Sequence, residues 1–121
     1  MYRIMIVDDD EKVTTLLSRY LTAVGYHVVA INQSSKAIQV ANSTHPDLFI
    51  LDIMMPHPDG FTLCRMLRAD PKFARTPILI ITALDNSNSK ATTFGANDYL
   101  SKPFNLDDLV MKVESLLEED N

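Results

Sequence analysis

The sequence predicts an α/β fold, a doubly wound parallel sheet of five strands covered by five helices. Two observations carry this. Short apolar runs alternate with helix-spaced apolar stripes five times along 121 residues, the pattern of repeated βα units. The runs at 47–51 and 78–81 are also nearly continuous, as expected of strands buried on both faces. The length suits one domain, residues 1–121, and a composition of 46% hydrophobic and 22% charged residues is ordinary for a globular protein.

The elements follow in order. "YRIMIV" (2–7) reads as strand 1. Val13, Leu16, Leu17, Tyr20, Leu21 and Val24 recur at three- and four-residue spacing and mark a helix over 11–24, with Gly25 at its C-cap. "HVVAI" (27–31) is strand 2, and Ser34 or Ser35 caps a helix carrying Ala37, Ile38 and Ala41. Pro46 closes that unit, and "DLFIL" (47–51) is strand 3. Asp59 caps a helix with Leu63, Cys64 and Leu67 on one face. Pro71 and Pro77 bracket a loop, and "PILII" (77–81) is strand 4. A weak segment, "NSNSKATTF", leads to Gly95, then "DYL" (98–100) is strand 5. Leu106, Leu109, Val110, Val113, Leu116 and Leu117 mark a last helix. Right-handed crossovers between such units lead to the flavodoxin-like order 2-1-3-4-5.

Composition excludes several function classes. A net charge of −5 makes direct nucleic-acid binding a poor expectation, because phosphate contacts need clustered Lys and Arg. No apolar run approaches a membrane span, and "MYRIMIVDDD" is not a signal peptide, since acids interrupt a short apolar part. The lone Cys64 allows no internal disulfide and agrees with a cytoplasmic setting. His27, His45 and His57 lack metal-ligand spacing, and Gly25, Gly60 and Gly95 read as turn glycines.

Ligands of open parallel sheets bind beyond the carboxyl ends of the strands. There stand Asp8, Asp9 and Asp10 after strand 1, Asp52 after strand 3, Thr82 after strand 4 and Lys102 after strand 5. Asn32 ends strand 2, but as an edge position it is set aside. Clustered carboxylates repel one another, and a hard divalent cation relieves this. Mg²⁺ suits a few carboxylate oxygens and a carbonyl. A carboxylate beside Mg²⁺, a lysine and a hydroxyl matches phosphoryl transfer. None of these strand-end residues is a histidine, cysteine or serine, so the acceptor is expected to be Asp52, forming an aspartyl phosphate.

These residues carry a resemblance. Over essentially its whole length the chain resembles the receiver domain of two-component response regulators, through "VDD" (Asp8, Asp9), "LDIMMPHPDG" (Asp52, Pro56, Asp59, Gly60), "ITA" (Thr82, Ala83) and "GANDYLSKPF" (Tyr99, Lys102). The resemblance implies a phosphorylation-dependent signalling switch rather than a turnover enzyme. Asp9, Asp52 and the Met54 backbone carbonyl would bind Mg²⁺, with Asp8 acting mainly through water. Thr82, Ala83 and Lys102 would stabilise the phosphoryl group, Thr82 and Tyr99 would form the switch, and Lys102–Pro103 would be cis. The implied partners are a sensor histidine kinase or phosphotransfer protein and a downstream effector. The effector would meet the face made of the fourth helix, strand 5 and the fifth helix.

Some features depart from that family. The stretch from Thr82 to Gly95 is short and rich in Asn, Ser and Thr, which predicts a short or partly unwound fourth helix. The charged residues expected there in regulators that dimerise on this face are missing, with Asp98 and Lys112 as remnants. Pro58 should stiffen the loop after Asp52. Apolar Met54 and Leu84 should hinder an attacking water and lengthen the life of the aspartyl phosphate. The alternatives fit less well. A haloacid dehalogenase-type phosphatase would need Thr or Val where Lys12 stands, and a flavin or nucleotide module would need a Gly-rich phosphate loop. A degenerate receiver would not keep the acids, Thr82 and Lys102.

Overall fold

The structure is a computed structural model and describes residues 1–83 and 95–119. The strands are β1 (Arg3–Val7), β2 (His27–Ile31), β3 (Leu48–Asp52), β4 (Ile78–Thr82) and β5 (Asp98–Ser101). They form one sheet in the order β2-β1-β3-β4-β5, all pairs parallel. Four α-helices lie among the described residues: α1 (Glu11–Val24), α2 (Ala37–Thr44), α3 (Gly60–Ala69) and a C-terminal helix (Leu106–Glu119). The predicted fourth helix, and Leu84 with its proposed effect on phosphate lifetime, lie outside the described residues.

Strand periodicity divides the core into two. Met5, Val7, Phe49, Leu51, Ile78 and Ile80 face one side and pack with Ala37 and Ala41 of α2 and Leu63, Cys64 and Leu67 of α3. Ile4, Ile6, Leu48, Ile50, Leu79 and Ile81 face the other and pack with Leu17 and Leu21 of α1 and Leu109 and Val113 of the C-terminal helix. Successive side chains of a strand point to opposite faces, so a central strand wedged between two helical layers must be apolar at every position. Phe73 adds an edge-on contact to Phe49, with ring centroids 5.5 Å apart.

The ends of the elements decide what the sheet presents. Asp52 and Thr82 are the last residues of β3 and β4, one position beyond where the apolar runs stop. The backbone ladder continues through a polar residue that the apolar pattern treats as a boundary. Asp10 caps α1 by accepting from the Lys12 N–H, and Gly25 closes that helix at φ 120°. Asp59 caps α3 through the Thr62 N–H.

Two expectations are corrected here. Leu16 and Val24 belong to the apolar stripe of α1, yet they are 54% and 46% exposed. The helix meets the sheet over a narrower arc, through Leu17 and Leu21. Neither Ser34 nor Ser35 caps α2: a 3-10 turn, Ser34–Lys36, precedes that helix, and no side chain caps either. The Ser34 hydroxyl instead donates to the Pro56 carbonyl at 2.8 Å.

Arg68 ties the far end of the sheet together in a way no sequence pattern signalled. Its guanidinium donates to the carbonyls of Gly95 (2.8 Å), Phe73 (2.9 Å) and Thr76 (2.6 Å), and to Asn97 Oδ1 (2.7 Å). Asn97 Oδ1 in turn accepts from the Ile78 N–H. One fixed fork of donors thus joins α3 to the entrances of β4 and β5.

Candidate functional site

The strand registers set the site. Val7 lies beside Leu51, so Asp8 follows β1 level with Asp52 on β3. Asp52 pairs with Ile81 and Thr82 with Ser101, so Thr82 stands one step further along and Lys102 one step beyond that; β5 thus ends on a serine, exposed Ser101, which the reading of the strand ends left out. The Lys102 N–H donates to the Thr82 carbonyl at 2.8 Å, extending that ladder to the lysine itself.

Asp8, Asp9 and Asp52 each offer a carboxylate oxygen within 4.8 Å of the others. Asp8 is fully buried, Asp52 is 5% exposed, and Asp9 is exposed. Lys102 Nζ lies 3.1 Å from Asp8 Oδ2 and 3.6 Å from Asp52 Oδ2. The lysine thus sits between two buried acids, closer to Asp8 than to Asp52.

Asp8 is held at every polar atom. Its N–H donates to the Ile31 carbonyl, and Oδ1 accepts from the Asp10 N–H. Oδ2 accepts from Lys102, and its carbonyl accepts from Asn32 Nδ2. Asp52 is pulled in two directions. Burial, and then the neighbouring Asp8 charge, push its pKa above the ordinary carboxylate value, while Lys102 and the Met54 and Ile53 backbone N–H groups pull it down. The upward causes win, so without a further cation the folded protein holds Asp52's proton more tightly than an exposed carboxylate would.

The donor set fits a hard cation. Three carboxylates from the β1–α1 loop and the end of β3, two of them buried and together carrying more negative charge than one lysine offsets, are oxygen ligands of the kind Mg²⁺ accepts. Thr82 is fully buried beside them, and Ala83 follows at an exposed bend. Met54 is 57% exposed at the rim, whereas Met55 is buried.

Tyr99 lies on β5 opposite Ile80, half-buried against the core shared by α2 and α3. Lys102–Pro103 is cis, as is His57–Pro58. Asp98 and Lys112 pair with each other at 3.0 Å within the chain, joining β5 to the C-terminal helix.

Sequence reasoning passed over three residues that shape this site. Asn32 reaches the loop that carries Asp8 and Asp9, and Ser34 reaches the loop that follows Asp52. Gly60 was read as a turn glycine, yet it is the first residue of α3 and packs on the end of β3. A Cβ there would stand 2.2 Å from the Asp52 carbonyl oxygen and 2.6 Å from Ile53 Cα. The signal for Asn32 was available: Val7 pairs with Ile31, so whatever follows Ile31 must lie beside Asp8.

Comparison with known proteins agrees with this geometry. The family model for the response regulator receiver domain matches residues 4–114. The DNA-binding dual master transcriptional regulator RpaA of Synechocystis is 41% identical over 119 residues, covering 97% of this chain and 49% of that protein. Response regulator MprA of Mycobacterium leprae is 39% identical over 117 residues, covering 95% and 50%. This chain therefore spans about half the length of the curated relatives it matches. Among solved structures, the BeF₃-activated N-terminal receiver domain of Klebsiella pneumoniae RstA superposes with a TM-score of 0.88 at 35% identity, covering 95% of this chain and 97% of that one. The receiver domain of Francisella response regulator 1452 gives 0.92 at 28% identity, with full coverage of both.

Proposed function

The chain belongs to the response regulator receiver domain family, and from that premise we propose that Asp52 accepts a phosphoryl group from a phosphohistidine. The donor is a sensor histidine kinase or a phosphotransfer protein. One observation above all supports the reading: Asp8, Asp9 and Asp52 converge within 4.8 Å at the carboxyl edge of the sheet, with Lys102 against two of them.

Each residue has a task. An Asp52 carboxylate oxygen attacks phosphorus as the phosphorus–nitrogen bond to the donor imidazole breaks. Lys102 draws charge from the transferring oxygens, having first kept Asp52 and Asp8 from repelling each other. The Thr82 hydroxyl and the Ala83 N–H donate to the same oxygens. Asp8, Asp9, Asp52 and the Met54 carbonyl are the groups that would hold Mg²⁺. When bound, Mg²⁺ supplies charge neutralisation at the phosphoryl oxygens. The apolar strand behind Asp52 fixes it in place and keeps it partly desolvated, which strengthens these interactions.

The result is a switch and not a turnover enzyme, since the chain acts on its own carboxylate. Thr82 would follow the phosphoryl group and leave room for Tyr99 to turn. Output would pass through the face around β5 and the C-terminal helix. Tyr99, Pro103, Phe104 and Asp108 line an open cavity there of about 280 Å³. The Asp98–Lys112 pair is satisfied within the chain, which argues against its use across a dimer. The expectation of no nucleic-acid contact concerns residues 1–121 alone, since a relative twice as long is a DNA-binding regulator. No helix among the described residues is long and apolar enough to cross a membrane, and a single, buried cysteine, Cys64, fits a cytoplasmic setting.

Beryllofluoride with Mg²⁺, a stand-in for the phosphoryl group, tests the reading. Amide resonances of Asp52, Thr82, Tyr99 and Lys102 are expected to shift together, and the shifts to vanish in Asp52→Ala. Equal shifts in Asp52→Ala would remove Asp52 from the role.

A further inference from the structure

We propose that the exit of β2, through Asn32 and Ser34, is a positioning device that holds the loop carrying Asp8 and Asp9 and the loop carrying Met54, next to Asp52, at the spacing a cation needs. The inference rests on the phosphoacceptor reading of the same site and names residues that reading leaves out.

The geometry is specific. Asn32 Nδ2 donates to the Asp8 carbonyl at 3.0 Å and to Thr14 Oγ1 at 2.8 Å. Both amide hydrogens are therefore used. Thr14 is buried, and its hydroxyl donates to the Glu11 carbonyl at 3.1 Å, so Asn32 rests on a fixed partner in α1. The carbonyl it grips belongs to the peptide joining Asp8 to Asp9. Fixing that peptide plane fixes the direction in which exposed Asp9 leaves the chain.

Two residues later Ser34, buried to 5% exposure, donates to the Pro56 carbonyl at 2.8 Å. Pro56 lies four residues after Asp52, on the loop that also carries Met54. One short segment thus grips the β1–α1 loop through Asn32 and the β3–α3 loop through Ser34. Neither residue touches the phosphoryl site. Each acts through a backbone carbonyl of a loop that does.

Groups that orient metal ligands without ligating matter to affinity, typically by about 10- to 100-fold. Asn32→Ala should raise the Mg²⁺ dissociation constant about 10-fold, the lower end because the grip is on backbone. Ser34→Ala should weaken Mg²⁺ in the same direction, and Ser34→Thr, which keeps the hydroxyl, should restore it. Thr14→Val, which removes the rest for Asn32, should weaken it as well and serves if Asn32→Ala fails to fold. Saturating Mg²⁺ should return the rate of phosphoryl uptake from a small phosphodonor to the wild-type value in each folded variant.

The measurement is a Mg²⁺ titration of the whole chain followed by the amide resonances of residues 8–10 and 52–55, with the metal-free unfolding midpoint beside it. Folded variants that lose stability but keep wild-type Mg²⁺ affinity overturn the proposal, because that is what a merely structural role predicts. A wild-type chain that shows no Mg²⁺ response overturns the reading of the site, and the positioning role with it.

Discussion

Gly60→Ala is expected to cost on the order of 3 kcal/mol of stability and most of the capacity to accept a phosphoryl group. The new methyl would stand 2.2 Å from the Asp52 carbonyl oxygen and 2.8 Å from the Asp52 carbonyl carbon. Both obstacles are backbone, and neither can swing aside as a side chain would. Gly60 is also tied to this spot by its own N–H, which donates to the Ile53 carbonyl at 3.0 Å. Either the N-terminus of α3 moves or the end of β3 does. A shift of roughly 1 Å at a reacting group can lower a rate about 100-fold. Urea unfolding and phosphoryl uptake from a small phosphodonor check both halves. Wild-type stability in Gly60→Ala would show that the close approach does not constrain the site.

Lys102→Ala should destabilise the metal-free protein by roughly 2–3 kcal/mol at neutral pH, by leaving two buried carboxylates without their cation. The figure is below that for a fully buried pair, because the lysine side chain is 25% exposed. Its sign with pH follows from Asp52. The folded pKa of Asp52 lies above its ordinary value, chiefly through burial and then through Asp8, while Lys102 opposes both. A raised carboxyl contributes its stability fully below the ordinary carboxylate value and loses it as pH rises through the folded value. Without Lys102 the folded value climbs further. The gap between variant and wild type should therefore narrow as the solution is acidified from neutrality towards the ordinary carboxylate range, where protonation relieves the repulsion. Mg²⁺ at neutral pH should narrow it as well. Chemical unfolding at several pH values, with and without Mg²⁺, reads this directly. A gap unchanged by either would mean that Lys102 does not compensate Asp8 and Asp52.

The sheet and most helices were legible in the sequence because a two-sided core imposes a strong pattern. Leu48 to Leu51 must be apolar throughout, since Leu48 and Ile50 meet α1 and the C-terminal helix while Phe49 and Leu51 meet α2 and α3. The candidate site was legible for a related reason. Once the strand order is known, the polar residues that follow the runs land at one edge, and Asp8, Asp52, Thr82 and Lys102 stand there.

What escaped were contacts from a side chain to a distant backbone, which leave no periodic trace. Ser34 looks like a helix cap, because caps and loop braces need the same hydroxyl. Asn32 was discounted as an edge residue, although its register with Asp8 follows from a parallel β1–β2 pair. Gly60 looks like any glycine after an N-cap until β3 is brought against it. The same limit hid Arg68, whose four acceptors lie 5 to 29 positions away in sequence.

The central claim is that the phosphoryl group goes to Asp52, and its location on the chain tests this most directly. The protein would be incubated with Mg²⁺ and a small phosphodonor, weighed intact, digested and mapped by mass spectrometry, with Asp52→Asn in parallel. The expected result is a gain of one phosphoryl group in the wild type, lost on treatment with hydroxylamine as an acyl phosphate should be. It should lie in the peptide containing Asp52 and be absent from Asp52→Asn. A stable phosphoryl group on another residue, or an undiminished gain in Asp52→Asn, would contradict the account.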